Sequence, residues 1–174
     1  MNFFKSTTGI VIGAAVLVLI AGSLAFFLDK GPEPGEKLEP LGTEYPDQGN
    51  AHIQIGAAHE HYNSNPPTSG PHYANAATKA FYEESLADEQ LVHNLEHGEI
   101  WISYKEAGEL IKQELRSFQG RFRGSVVVTS RPQNEKNICL ASWRRLLCLD
   151  QFDQAVAQNF LRANKNHSPE PMAR

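Results

Sequence analysis

The sequence predicts an α+β fold: a small, largely antiparallel sheet with helices packed on it, preceded by one N-terminal transmembrane helix. Three observations predict it. The run GIVIGAAVLVLIAGSLAFFL at residues 9–28 carries no charge, and at 1.5 Å per residue it would cover roughly 30 Å, the thickness of a bilayer's hydrocarbon core. Several later runs of five or six residues alternate or are rich in β-branched side chains, as half-buried strands require. Between and after them lie stretches with apolar residues three and four apart, the spacing of one helix face. The chain has 174 residues, 41% of them hydrophobic and 21% charged, which is the composition of a folded domain rather than of a disordered or fibrous chain.

The N-terminal run shows only Gly and Ser as interruptions, where a core helix of a small domain would keep a polar stripe. It has no good A-x-A cleavage site before DKGPEPG and is longer than a usual signal-peptide core, so it reads as an uncleaved anchor. The short tail at residues 1–8 makes it a signal anchor. That places the remainder outside the cytoplasm of a bacterial inner membrane, as a single-pass protein with an extracytoplasmic C-terminal domain. Residues 29–50 are rich in Pro, Gly and Glu without periodicity and read as an extended linker; the folded domain is expected over residues 51–174.

Within that domain, alternation around His52 to Ile55 suggests a first strand, and a second short one is expected through Ala58 to Tyr62. NSNPPTSGP follows, a stiff loop that holds His72 at its end. Helical spacing before Gly98 suggests a short helix, and EIWISY is a strand with Ile100, Ile102 and Tyr104 on one face and Trp101 on the other. KEAGELIKQELRSFQG is an amphipathic helix with Leu110, Ile111, Leu115 and Phe118 on its apolar side, closed by Gly120. GSVVVTSRP, NICLASW and RLLCLD are further strands, and QFDQAVAQNFLRANK is a terminal helix with Phe152, Val156, Phe160 and Leu161 spaced for burial. The order after Gly98 is therefore strand, helix, strand, strand, strand, helix.

Cys139 and Cys148 would pair only in an oxidising compartment. A tight hairpin turning across Arg144 and Arg145 sets them on one face but diagonally offset, a long reach for a disulfide, so two buried small apolar groups are expected.

The net charge of −4 argues against nucleic-acid binding through phosphate neutralisation, and no glycine-rich phosphate loop points to a nucleotide. No serine or cysteine sits in a nucleophile motif. Histidine is different: of seven, His93 and His97 lie four apart in LVHNLEHG, so on a helix they share a face. His72 on its stiff loop is the third strong candidate, and neutral imidazoles together suit zinc and copper. His52, Glu96 and Met172 are weaker candidate ligands. Zinc would take Glu96 or water as fourth ligand; copper is preferred if His52 or Met172 is close. The pair in HEH at His59 and His61 is a surface feature of a polar edge.

His93, Glu96 and His97 also fit the H-x-x-E-H pattern of inverted zinc peptidases, in which Glu96 would activate water. The pattern there lies inside a long helix, whereas here Gly98 and a strand follow at once. The leading expectation is a membrane-anchored extracytoplasmic domain that binds copper or zinc through its histidines and is non-catalytic or metal-handling. Its partners are the bilayer, through residues 9–28, and another membrane or extracytoplasmic protein. The alternative is a metal-free accessory or scaffold subunit of a membrane complex, which predicts ring nitrogens far apart and satisfied by backbone.

YNSNPPTSGPHY from Tyr62, followed by LVHNLEHG and a strand ending in Tyr104, resembles the bacterial domain-of-unknown-function family 3105 (DUF3105) over roughly residues 51–171. The resemblance implies a single membrane segment or signal before one small domain. It also implies histidines at His72, His93 and His97, a tryptophan at Trp143 and a Pro-Glu pair at Pro169 and Glu170. It implies no activity.

Overall fold

The computed structural model describes residues 39–171. Seven strands and three helices make up the described part: β1 (Thr43–Glu44), β2 (His52–Ile53), β3 (His72–Tyr73), α1 (Asp88–Glu96), β4 (Ile100–Tyr104), α2 (Glu109–Arg121), β5 (Val126–Ser130), β6 (Ile138–Ser142), β7 (Arg145–Leu149) and α3 (Gln154–Asn164).

Five strands form one sheet in the order β1-β7-β6-β4-β5. The β4-β6, β6-β7 and β7-β1 pairs are antiparallel, but β4 and β5 are parallel. The sheet is thus mixed, with one parallel pair among its four. A parallel pair needs a crossover connection, and α2 supplies it, so the strand-helix-strand order was itself the signal for this pairing. Helices cover both faces. Ile100, Ile102, Tyr104, Val126, Val128, Ile138 and Leu140 pack against Leu115 and Phe118 of α2 and Ala157, Phe160 and Leu161 of α3. On the opposite face Trp101, Val127, Cys139 and Ala141 meet Leu91, Val92 and Leu95 of α1. Each fully buried side chain of this size contributes about 1.5–3 kcal/mol. Leu110, expected on the buried side of α2, is 76% exposed because the buried stripe runs through Ile111, Leu115 and Phe118 and leaves Leu110 on the exposed side with Glu114 and Ser117.

Local chemistry sets the helix ends. Asp153 caps α3, its Oδ1 accepting from the amides of Ala155 and Val156 at 2.9 and 3.0 Å. Asp88 and Glu89 occupy the first turn of α1, where acidic groups complement the helix dipole. Gly98 stops α1 with φ +79°, its amide donating to Leu95 O at 2.9 Å.

The described helices have 9, 13 and 11 residues, none longer than roughly 20 Å, and no helix among the described residues is long and apolar enough to cross a membrane. The expectations built on such a helix are corrected on that ground and not carried further: the transmembrane element of the fold, the signal anchor, the bilayer partner and the single-pass inner-membrane location with an extracytoplasmic domain. The run at residues 9–28 that suggested them lies outside the described residues, as does Met172.

Two further differences bear on the site. The stretch read as the end of a linker is packed: β1 pairs with β7, Trp143 Nε1 donates to Asp47 Oδ2 at 3.4 Å, and Asn50 reaches Glu96. Packed chain therefore starts before Ala51. No strand forms at residues 58–62. Instead β2 pairs in parallel with β3, His52 beside His72 and Ile53 beside Tyr73.

Cys139 and Cys148 form a disulfide, against the expectation of two free apolar groups. The hairpin turns on Trp143 and Arg144, with Ser142 opposite Arg145 and Arg144 at φ 61°. That is one position earlier than the turn expected from sequence. The shift replaces a diagonal offset by direct opposition, with the two Cα atoms 4.1 Å apart.

Candidate metal centre

Three pieces of chain converge at the C-terminal end of α1. The helix lays Leu91 and Leu95 against the sheet, which leaves His93, Glu96 and His97 on the neighbouring sector. The β2-β3 ribbon brings His52 and His72 across from them. The loop before β3 is held stiffly: Tyr62 Oη donates to Pro71 O at 2.6 Å, and the amides of Gly70 and His72 donate to Gly49 O and Ala51 O. Trp143 closes the floor, edge-on to the His72 ring.

Glu96 lies at the centre and is 1% exposed. Its Oε1 accepts from Asn50 Nδ2 at 2.7 Å. Its Oε2 faces the Nε2 atoms of His72, His52 and His93 at 3.0, 3.6 and 4.0 Å. One ligand atom from each of these four residues lies within 4.8 Å of all the others. This cluster of three imidazoles and a carboxylate can coordinate a metal ion.

The far side of two rings fixes what the near side offers. His72 Nδ1 lies 2.8 Å from Gly70 O, and His93 Nδ1 lies 2.6 Å from Tyr73 O. A carbonyl oxygen only accepts, so both Nδ1 atoms carry the proton and both Nε2 atoms present a lone pair. This is how metal-ligating histidines are commonly held. Strand β3 thus serves twice, through the side chain of His72 and the carbonyl of Tyr73. In His72, lone pair meets carboxylate oxygen inside the protein, an arrangement that calls for a proton or a cation between them.

Burial makes the proton the less suitable answer at neutral pH. It pushes the His72 ring below its ordinary value of 6.5, although the Gly70 carbonyl and Glu96 pull the other way. Burial pushes Glu96 up, but the Asn50 amide, and the attraction of the His72 and His93 rings when they are protonated, outweigh it and hold the carboxyl below its usual range. Neutral imidazole and carboxylate are the protonation states that bind metal.

The other histidines are placed differently. His97 Nε2 lies 3.0 Å from His93 Nε2 and 4.0 Å from Glu170 Oε2; it belongs to a second group with Glu96 and Glu170, not to the four-residue cluster. His59 pairs with Glu89 at 3.2 Å, away from the cluster. Of the expected ligands, His72 and His93 converge, His52 and Glu96 join them, and His97 lies one step out. The scaffold alternative predicted dispersed ring nitrogens, and the Nε2 atoms do not have that arrangement.

Sequence reasoning missed Asn50, whose stretch read as linker, and missed that His52 and His72 are strand neighbours. Asn94 is 1% exposed and exchanges hydrogen bonds with the backbone of Ala77, while its Nδ2 also donates to Glu99. It pins the segment that leads into α1.

A family model described as a protein of unknown function (DUF3105) matches residues 54–174. The chain belongs to the DUF3105 family. The matched span holds His72, His93, Glu96, His97 and Glu170, while Asn50 and His52 precede it. No curated protein and no solved structure matches the chain.

Proposed function

We propose that this domain binds one transition-metal ion, zinc or copper, among His52, His72, His93 and Glu96, and that it holds or hands on the ion rather than using it for catalysis. One observation carries the reading: lone-pair-bearing Nε2 atoms, fixed from behind by backbone carbonyls, face a single buried carboxylate oxygen. Four protein donors suit a tetrahedral site, and a full set of protein ligands is the mark of structural and storage sites, whereas catalytic zinc keeps a position for water. Borderline nitrogen and oxygen donors suit zinc and copper(II) alike, with copper(II) the tighter binder of the two.

Glu96 is poorly suited to the peptidase role that H-x-x-E-H suggests, because Asn50 holds one of its oxygens and the other faces the Nε2 atoms of three histidines, as a ligand would. His52 supports a handling role, since its side chain is 51% exposed and offers the side from which an incoming ligand could exchange.

The test is metal content by elemental mass spectrometry on the full chain, purified without a histidine tag and dialysed against metal-free buffer after loading. About one zinc or copper per chain is expected, lost when His72→Asn and His93→Asn are combined. Failure of the folded wild-type chain to retain either ion overturns the reading.

A further inference from the structure

The first cluster leaves out His97 and Glu170, and the fold takes trouble to bring those two together. After α3 the chain turns back across the end of α1. The Asn166 amide donates to Gly98 O at 2.9 Å, and the Glu170 amide donates to Glu96 O at 3.1 Å. This approach is close enough that a Cβ on Gly98 would lie 2.6 Å from Asn166 Cα. The lack of a side chain at Gly98 thus lets the tail pass, and the tail carries Glu170 to His97.

The ligand atoms of Glu96, His97 and Glu170 lie within 4.8 Å of one another. They sit at the C-terminal end of α1, where the helix dipole favours positive charge. His97 now has His93 as its hydrogen-bond partner, Nε2 to Nε2 at 3.0 Å. His93 can only accept in that contact, because its proton is on Nδ1. An ion ligated by His93 takes that lone pair and ends the contact. His97 Nε2 then still has the Glu170 carboxylate 4.0 Å away.

We infer that His97, Glu170 and Glu96 form a second divalent-cation site beside the first, with Glu96 shared between the two ions. The inference rests on Glu96 and His93 being ligands of the first ion. The second ion is the weaker bound, since its site has one histidine, its carboxylate Glu170 is 54% exposed, and Glu96 already serves the first. Borderline ions of the zinc class fit a site of one imidazole and two carboxylates. Filling it ties the C-terminal tail to α1 by a bond additional to the two backbone hydrogen bonds.

The test is calorimetric titration of the metal-stripped full chain with Zn2+ in the wild type, Glu170→Gln and His97→Asn, with circular dichroism to check the fold. Glu170 is exposed enough that its variant should fold even if His97→Asn does not. Two equivalents in the wild type and one in the Glu170→Gln chain, with the tighter one retained, support the second site. A single wild-type equivalent unchanged by Glu170→Gln overturns it and leaves the first site standing. Loss of all binding in Glu170→Gln overturns the division into two sites. No binding in the wild type overturns both readings.

Discussion

Replacing Glu96 by Gln should stabilise the metal-free protein and weaken the metal-bound one. In the wild type, Oε1 accepts from Asn50 and Oε2 faces the His72 lone pair at 3.0 Å. A Gln in the same rotamer keeps its oxygen on Asn50 and turns an NH2 donor towards His72. Two facing acceptors become a buried hydrogen bond, with a net gain of about 1 kcal/mol. The same change removes the one anionic ligand of the cluster. Zinc at about 100 times Kd stabilises the wild type by about 2.7 kcal/mol, whereas binding weakened roughly a hundredfold leaves only about 0.4 kcal/mol at that concentration. The order of stabilities therefore reverses, with the variant ahead by about 1 kcal/mol in chelator and behind by about 1 kcal/mol in zinc. Urea denaturation followed by tryptophan fluorescence reads this directly, because Trp101 and Trp143 are both buried. A variant less stable than wild type under both conditions, or one that gains as much from zinc, would refute the pairing of lone pair and carboxylate.

Four other outcomes are expected. Burial holds the His72 and His97 rings below 6.5, so the unfolded chain takes up protons first and the metal-free protein should lose stability as pH falls through that value; a melting temperature that stays flat from neutral pH into the carboxylate range contradicts this. Gly98→Ala forces a side chain to φ +79° and into Asn166, which should cost about 2–4 kcal/mol in denaturant midpoint analysis, and a cost near zero would mean that the tail does not pack there. Removing the disulfide by Cys139→Ala with Cys148→Ala opens a loop of sequence separation 9 and should cost about 2.5 kcal/mol, matched by the effect of a reducing agent on the wild type. Asn50→Ala should weaken zinc binding by about tenfold while leaving the secondary structure unchanged by circular dichroism; unchanged affinity would remove Asn50 from the support of Glu96.

The order of elements after Gly98 was legible because each element is long enough to show its period. Ile100, Ile102 and Tyr104 do pack on the face opposite to Trp101. What escaped was pairing. Strands of two residues, such as β1, β2 and β3, carry no periodicity, so nothing local said that His52 lies beside His72 or that the segment before Ala51 is part of the domain. A turn placed one residue late hid the disulfide. His72 and His93 could be picked out by residue type and loop stiffness. Glu96 was named only as a weaker candidate for the fourth position, because nothing local showed His52, His72 and His93 converging on it, and Glu170 was not weighed as a ligand, since only the return of the tail across Gly98 puts it near His97.

X-ray absorption at the metal edge of the loaded protein, with one equivalent bound, tests the central claim most directly. Three imidazole nitrogens and one carboxylate oxygen at about 2.0–2.2 Å are expected, with one imidazole fewer in His72→Asn. A coordination shell without imidazole scattering, or one that His72→Asn leaves unchanged, would contradict a metal held by this cluster.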